Sequence, residues 1–276
     1  MTLQKIELSQ SVSRTNSPLY GRTILVTRTV EGNYLQKRQL ETLGANVVEL
    51  ATIRISPPSS WVECDRAIAI ADDFDWIVFT SANGVRAFFR RCNLRKGARE
   101  FLEKLKNAEL SKPKFACVGP STKQALEREG FRSSFEPSEF LTISLATELT
   151  DFVNLTGKKV LLARVEGANN EISNVLEASG AKVFEAPVYA THLRSRKISK
   201  ATLESLTDIT LTSPSTVEGL FRSISSMEIK ARGMLVHCIG PVTAKRAKQY
   251  GLDVHSIAKT HTIDGLVESI LDFRAS

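Results

Sequence analysis

Long apolar runs are missing from the 276-residue sequence. A membrane-spanning helix needs about 18 or more consecutive apolar residues, whereas the apolar runs here have the length of β-strands. The first 19 residues are polar, include Glu7 and lack the apolar core of a secretory signal. We therefore expect a cytoplasmic protein without membrane contact. Residues 1–19 are predicted to form a disordered arm, with a remnant targeting peptide as the alternative.

Cysteine and histidine are scarce and scattered. No CxxC pair occurs among the four cysteines, which are Cys64, Cys92, Cys117 and Cys238. This pattern predicts reduced thiols and argues against disulfides and a zinc site. His255 and His261 are the closest histidines, but no carboxylates accompany them at ligand spacing. We expect them at the surface and predict no metal site.

Signatures of nucleotide and hydrolase chemistry are also absent. The sequence contains no GxxxxGK[ST] phosphate loop, no GxGxxG after the first predicted strand, no GxSxG and no HExxH. The net charge of +7 suggests an anionic partner. A basic cluster lies between residues 86 and 99, but no nucleic-acid-binding signature accompanies it, so we predict no nucleic acid partner.

The sequence does contain a long internal repeat. Because similar segments recur in the same order, the repeat indicates a duplication. The paired segments are RTILVTR (22–28) with KKVLLAR (158–164), TSANGVRAFF (80–89) with TSPSTVEGLF (212–221), ACVGPSTKQALEREGF (116–131) with HCIGPVTAKRAKQYGL (237–252), and EFLTISLATELTD (139–151) with THTIDGLVESILD (260–272).

Short β-type runs alternate with amphipathic helical stretches in each copy. The helices are predicted to end at Gly44, Gly130, Gly180 and Gly251. Strands that alternate with helices form parallel sheets with right-handed crossovers. We therefore predict the α/β class, with two similar doubly wound parallel-sheet domains of the flavodoxin or Rossmann type.

Two extended segments, ELATIRISPPSSW and EAPVYATHLRSRK, follow the second strand of each copy. If the chain leaves the first sheet along one segment and returns along the other, two strands join the domains. The predicted bounds are 20–52 with 190–276 for domain 1, 55–187 for domain 2, and 50–58 with 186–192 for the linker strands.

Small polar residues follow most of the predicted strands. In doubly wound sheets, ligands bind beyond the carboxyl ends of the strands, where backbone N–H groups at helix N-termini hold anions. Helix capping alone would explain any one of these loops, but six of them favour a shared anion-binding cleft. The predicted binding residues are Arg28, Thr80, Ser81, Ala82, Asn83, Gly119, Ser121, Arg164, Thr212, Ser213, Ser215, Gly240 and Thr243.

Tyr189 lies in the second linker and is expected near the interdomain cleft. A tyrosine that only packs at the interface is an equal alternative.

Seven segments together resemble the uroporphyrinogen-III synthase family over residues 22–272. Two positions depart from the family pattern: Thr29 stands where proline is usual, and Val242 stands where a hydroxyl residue is common. The segments are ILVTR, DWIVFTSANGVRAFF, CVGPSTKQALEREGF, LLARVEG, GAKVFEAPVYAT, LTSPSTVEGLF and IGPVTAKRAKQYGL.

The resemblance implies a lyase of tetrapyrrole biosynthesis that needs no cofactor. Its substrate would be the linear tetrapyrrole hydroxymethylbilane, which carries eight carboxylates. The enzyme would close it to uroporphyrinogen III through a spiro intermediate, with inversion of ring D and loss of water. The family's candidate proton donor, a tyrosine in the second linker, matches Tyr189, and the predicted anion-binding residues would hold the substrate.

Other interpretations remain open from the sequence. A non-catalytic two-lobed anion-binding or sensory module would have the same fold. A glycosyltransferase-like enzyme is disfavoured because no acidic residues are set to bind a nucleotide ribose or a metal. We expect a monomer, and a transient contact with the upstream deaminase stays open.

Overall fold

The computed structural model describes residues 17–107 and 111–275. Within these ranges the β-strands are β1 Thr23–Val26, β2 Asn46–Glu49, β3 Ile53–Ser56, β4 Trp76–Phe79, β5 Lys114–Cys117, β6 Lys159–Val165, β7 Lys182–Leu193, β8 Asp208–Leu211, β9 Leu235–Cys238 and β10 Ser256–Ile257.

The α-helices mostly follow the strands, as the alternating pattern predicts. They are α1 Val30–Thr42, α2 Val62–Ala69, α3 Ala82–Asn93, α4 Lys96–Lys106, α5 Pro120–Arg128, α6 Thr142–Phe152, α7 Glu171–Ala178, α8 Lys200–Ser205, α9 Pro214–Phe221, α10 Ser226–Ala231, α11 Pro241–Gln249 and α12 Ile263–Ala275. The glycines predicted to end helices all have φ between 79° and 92°, a left-handed conformation that favours glycine.

The chain forms two compact units. Unit 1 contains the described residues up to Arg54 and from Leu193 onwards, and unit 2 contains Ile55–His192. Residues 1–16 of the predicted arm lie outside the described residues. Leu19, at the end of that predicted arm, is fully buried, and its N–H donates to the carbonyl of Leu43 at 3.0 Å.

The sheet of unit 1 has the strand order β10-β9-β8-β1-β2, and its neighbouring strands are parallel. Numbered within the unit, this is the 2-1-3-4-5 order of flavodoxin-like folds. The order reverses between β1 and β8. Ligands bind such sheets beyond the carboxyl ends of the two strands at this switch point.

The sheet of unit 2 has the order β3-β7-β6-β4-β5. β7, β6, β4 and β5 are parallel neighbours, and the switch point falls between β6 and β4. Apolar side chains of β4 and β6 are buried on both faces of the sheet, in two separate clusters. This continuous burial is typical of central parallel strands.

Each unit combines halves of the two sequence copies. The strand pairs β1-β2 and β6-β7 are equivalent in the repeat, as are β4-β5 and β8-β9. Unit 1 joins the first half of copy one to the second half of copy two, and unit 2 joins the other two halves. The prediction of two similar doubly wound parallel sheets is confirmed.

Candidate functional site

The loop between β4 and α3 lies at the switch point of unit 2. Ser81 is the N-cap of α3, and its Oγ accepts a hydrogen bond from the backbone N–H of Gly84 at 3.0 Å. A Cβ at Gly84 would lie 2.9 Å from the carbonyl oxygen of Ala163 in β6, so glycine permits α3 to approach that strand. The first-turn N–H groups of Ala82 and Asn83 belong to a helix N-terminus, which carries partial positive charge.

Tyr189 reaches this loop from β7. Its phenol oxygen lies 3.0 Å from Ser81 Oγ, and only 8% of the residue is exposed. The structure therefore brings together the predicted catalytic residue and the centre of the predicted anion-binding loop.

A β-bulge in β7 aims Tyr189 at the loop. Arg164 of β6 pairs with Pro187, but the next residue, Val165, pairs with Tyr189, which leaves Val188 as an extra residue. Neighbouring residues of a regular strand point to opposite faces. Here Val188 and Tyr189 belong to the same buried cluster, because the bulge re-aims the tyrosine.

The environment of Tyr189 keeps its phenol protonated. Burial raises the pKa of Tyr189 above its ordinary value of 10.0, although the hydrogen bond with Ser81 and the charge of Arg86 oppose the shift. Arg86 lies on α3, and its Nη2 donates a 2.7 Å hydrogen bond to Oδ1 of Asn83 on the same helix. A protonated phenol at neutral pH can donate a hydrogen bond or a proton.

The twin loop of unit 1 follows β8 and is also an N-cap. Ser213 Oγ accepts from the N–H of Thr216 at 3.3 Å and lies 3.0 Å from Ser215 Oγ. Thr216 Oγ1 accepts in return from the N–H groups of Thr212 and Ser213, both at 3.1 Å. The capping expected for these residues is therefore present in both loops, and α9 presents its N-terminus at the carboxyl edge.

The loops that contain Gly119-Pro120 and Gly240-Pro241 share a feature that the sequence did not predict. A Cβ at Gly119 would lie 3.1 Å from the ring of Phe140, and a Cβ at Gly240 would lie 3.1 Å from the ring of His261. Phe140 and His261 occupy equivalent positions in the paired segments EFLT and THTI. The repeat could therefore have indicated that the two residues have equivalent places in their units. His261 is half-buried, and burial lowers its pKa below 6.5, so the imidazole is neutral at pH 7.

Three further predicted residues differ in their accessibility. Ser121 is exposed in the first turn of α5, whereas Thr243 in the first turn of α11 is buried. Arg28 follows β1 and is half-buried, and its backbone N–H donates to Asn33 Oδ1 at 3.0 Å.

Arg164 does not face the carboxyl edge as a free cation. It is buried and forms an ion pair with Glu185, while its Nη1 donates to the carbonyl of Asn169 at 2.6 Å. Burial alone would raise the pKa of Glu185, but hydrogen bonds from Arg164 and Ser173 outweigh it and lower the pKa. Sequence spacing gave the position of Arg164 but not this partner, which lies 21 residues away on β7.

The cysteine thiols are free and buried. Burial raises the pKa values of Cys64, Cys117 and Cys238 to about 12. Within residues 17–107 and 111–275, no cluster of three or more His, Cys, Asp or Glu residues could hold a metal ion. No helix in that part of the chain is long and apolar enough to cross a membrane.

Apart from Arg164 and Thr243, which are buried, the predicted residues form one set at the carboxyl edge of each sheet. The set of unit 2 is Thr80, Ser81, Ala82, Asn83 and Gly119, with Ser121 beside it and Tyr189 bonded to Ser81. The set of unit 1 consists of Arg28, Thr212, Ser213, Ser215 and Gly240.

Fold and sites define an α/β protein with two doubly wound units whose carboxyl edges carry helix N-termini. Residues 36–268 match the family model described as uroporphyrinogen-III synthase HemD. The chain belongs to the uroporphyrinogen-III synthase family.

Named relatives agree with this assignment. The chain is 33% identical over 263 residues to the uroporphyrinogen-III synthase of Synechococcus elongatus, covering 92% of this chain and 96% of the relative. It is 32% identical to the porphyrin biosynthesis protein HemD of Ruminiclostridium josui, over 92% of this chain but only 49% of that longer protein. A mutant uroporphyrinogen III synthase from Thermus thermophilus has the same fold, with a TM-score of 0.62 at 14% identity over 91% of this chain and 98% of the other.

Proposed function

We propose that this protein cyclises hydroxymethylbilane to uroporphyrinogen III, with inversion of ring D and loss of water. It is then a lyase of tetrapyrrole biosynthesis. The observation that carries the mechanism is the buried Tyr189 phenol, held 3.0 Å from Ser81 at the N-terminus of α3, and burial raises the pKa of this phenol. Family membership supports the substrate and the reaction.

Much of the reactivity belongs to the substrate. Loss of the hydroxyl group from ring A leaves a resonance-stabilised azafulvenium cation, and the electron-rich pyrroles supply the nucleophile. Free substrate closes without help to the symmetric type I isomer. The enzyme must instead direct the substituted α-carbon of ring D to attack, which forms a spiro intermediate that fragments and recloses. Positioning and electrostatic stabilisation are therefore its main tasks.

Tyr189 would supply the proton that the departing hydroxyl group needs. The C–O bond breaks as the phenol proton moves to oxygen, and water leaves. When the final C–C bond has formed, the reacting α-carbon releases a proton that restores the phenol. No net proton is gained or lost by the protein, and Ser81 keeps the phenol oriented throughout.

The helix N-termini at both carboxyl edges would bind the substrate carboxylates. N-terminal N–H groups of α3 and α5 serve unit 2, and those of α9 and α11 serve unit 1. In this proposal Arg164 acts through its ion pair with Glu185, by fixing the end of β6 next to the loop of Ser81.

The reaction is tested by incubating the protein with freshly prepared hydroxymethylbilane and separating the product isomers by chromatography. Type III product is expected, at a rate proportional to enzyme concentration. Type I product alone would overturn the proposal. The protein would then be better interpreted as a non-catalytic anion-binding module.

We further propose that units 1 and 2 are the two predicted domains. The protein would act in the cytoplasm as a monomer, with a transient contact to the deaminase that makes its substrate. Sedimentation of the protein alone and with that deaminase tests both statements: one species of about 30 kDa is expected alone, and a faster boundary with the deaminase. A stable dimer would contradict the first.

A further inference from the structure

Two buried amide side chains in unit 1 have unused hydrogen-bonding atoms. Asn33 and Gln36 lie on the buried face of α1, two turns and one turn before Leu40, and both are 0% exposed. Asn33 Nδ2 and both polar atoms of Gln36, Nε2 and Oε1, have no hydrogen-bond partner among the described residues. Buried polar groups almost always have partners, so an exception calls for an explanation.

The pair lies in the first two turns of α1, which begins beside the switch point of unit 1. Asn33 Oδ1 accepts from the N–H of Arg28 at 3.0 Å, and the N–H of Asn33 donates to the carbonyl of Thr29 at 3.0 Å. Because Oδ1 takes the backbone N–H, the other amide atom of Asn33 is a donor. This donor therefore lies against the loop that leaves β1, where the helix end carries positive partial charge.

The second sequence copy shows that the buried amide of Gln36 is not required by the fold. An offset of 136 residues places Gln36 opposite Ile172 and Asn33 opposite Asn169. Ile172 is fully buried in an apolar cluster with Leu162 and Leu176. The equivalent helix of unit 2 thus packs an isoleucine where unit 1 buries an unpartnered amide.

We propose that Asn33 and Gln36 form a subsite in unit 1 that binds one carboxylate of the tetrapyrrole substrate. The inference rests on the proposed function for the identity of the ligand. Asn33 Nδ2 and Gln36 Nε2 donate to the carboxylate, and the N-terminus of α1 adds to the attraction. Gln36 Oε1 accepts from a water beside the bound group.

Both amides are 0% exposed, so a carboxylate arm reaches them only when the residues that cover them separate. Acetate and propionate arms are narrow and flexible, which suits a site of this kind. Donors shielded from water form stronger hydrogen bonds than exposed donors.

The experiment uses the full chain with Gln36→Ile, which copies Ile172, and Gln36→Met, which keeps the length of the side chain. Leu35→Ala is the matched control, because Leu35 lies on the same helix and is 52% exposed. Binding of uroporphyrin III, a stable oxidised form of the product, is followed by fluorescence. KM for hydroxymethylbilane and the melting temperature are measured in parallel.

Both Gln36 variants are expected to raise Kd and KM by about 10- to 100-fold, the range of one hydrogen bond to a charged group. Their melting temperatures should equal or exceed that of the wild type, because a buried unpartnered amide is removed. Kd and KM within about twofold of wild type in whichever variant folds would overturn the subsite, leaving the amides to hold internal water only. The isomer made by the wild type tests the proposed function separately, and the porphyrin-binding arm does not depend on it.

Discussion

Tyr189 and Ser81 are 108 residues apart in the sequence and share a 3.0 Å hydrogen bond between their hydroxyl groups. Ser81 Oγ also accepts from the N–H of Gly84, so one oxygen fixes both the start of α3 and the phenol. A tyrosine that only packs would also find a partner for its buried hydroxyl group, so kinetic measurements have to separate the two interpretations.

Tyr189→Phe tests the phenol directly. Removing the hydroxyl group should lower kcat by about 10- to 100-fold without abolishing type III product, because general acid catalysis commonly contributes 10²-fold or more and water can replace part of it. Tyr20→Phe is the control, since Tyr20 is 52% exposed. Wild-type turnover by Tyr189→Phe would remove the phenol from the mechanism.

The pH dependence of kcat/KM provides an independent test. The active form of Tyr189 is protonated, and burial raises its pKa above 10.0, so this group causes no loss of activity between pH 7 and pH 8. The alkaline decline due to Tyr189 should have its midpoint above pH 10 and should be negligible at pH 8. Residual activity of Tyr189→Phe should lack that decline, and a Tyr189-dependent decline near pH 8 would contradict the assignment.

Ser81→Ala and Ser213→Ala form a matched pair. Each removes an N-cap hydroxyl, and each should lower the free energy of unfolding by about 0.5–2 kcal/mol. Only Ser81 also holds the tyrosine, so Ser81→Ala should lower kcat more than Ser213→Ala does. Thermal melting and steady-state kinetics measure both effects, and equal kcat losses would show that the bond to Tyr189 is not used.

The free energy of unfolding is predicted to depend on pH through the carboxyl group of Asp208. Burial alone would raise the pKa of Asp208, but hydrogen bonds from His237, Arg22 and Thr207 lower it from 3.8 to about 2. The carboxylate therefore contributes about 2 kcal/mol of stability above pH 3.8, which is lost as the pH falls towards 2. Urea unfolding should show Asp208→Asn destabilised at pH 7, with a gap to the wild type that narrows below pH 3.8. Asp253→Asn, at an exposed ion pair, should differ little from wild type at either pH.

Replacement of a helical glycine by alanine should have opposite effects on stability at two positions. A Cβ at Gly84 would meet the Ala163 carbonyl oxygen at 2.9 Å, so Gly84→Ala should push α3 from β6 and lower both stability and activity. Gly97 in α4 has no heavy atom within 4 Å of an added Cβ, so Gly97→Ala should raise stability by about 0.5–1 kcal/mol. Thermal melting measures the stability of both variants, and steady-state kinetics measures their activity. A Gly84→Ala variant with wild-type stability and activity would contradict the close packing of α3 against β6.

The sequence predicted the α/β class and the capping glycines because periodicity and glycine chemistry are local properties. The bulge at Val188 could not be predicted, since it depends on the register between β7 and β6. The ion pair of Arg164 with Glu185 was missed for the same reason. Phe140 and His261 were within reach, because the repeat aligns them, but only the structure places their rings against glycines.

Each unit is built from one half of each sequence copy, so both units depend on both copies. A single cut near residue 155, between the copies, would give two fragments, each with strands for both sheets. Neither fragment could complete a sheet alone, so the two would have to fold upon each other. The same reasoning describes a protein of half the length, whose two identical chains would exchange arms to build both units. Joining those chains end to end would make their association independent of concentration.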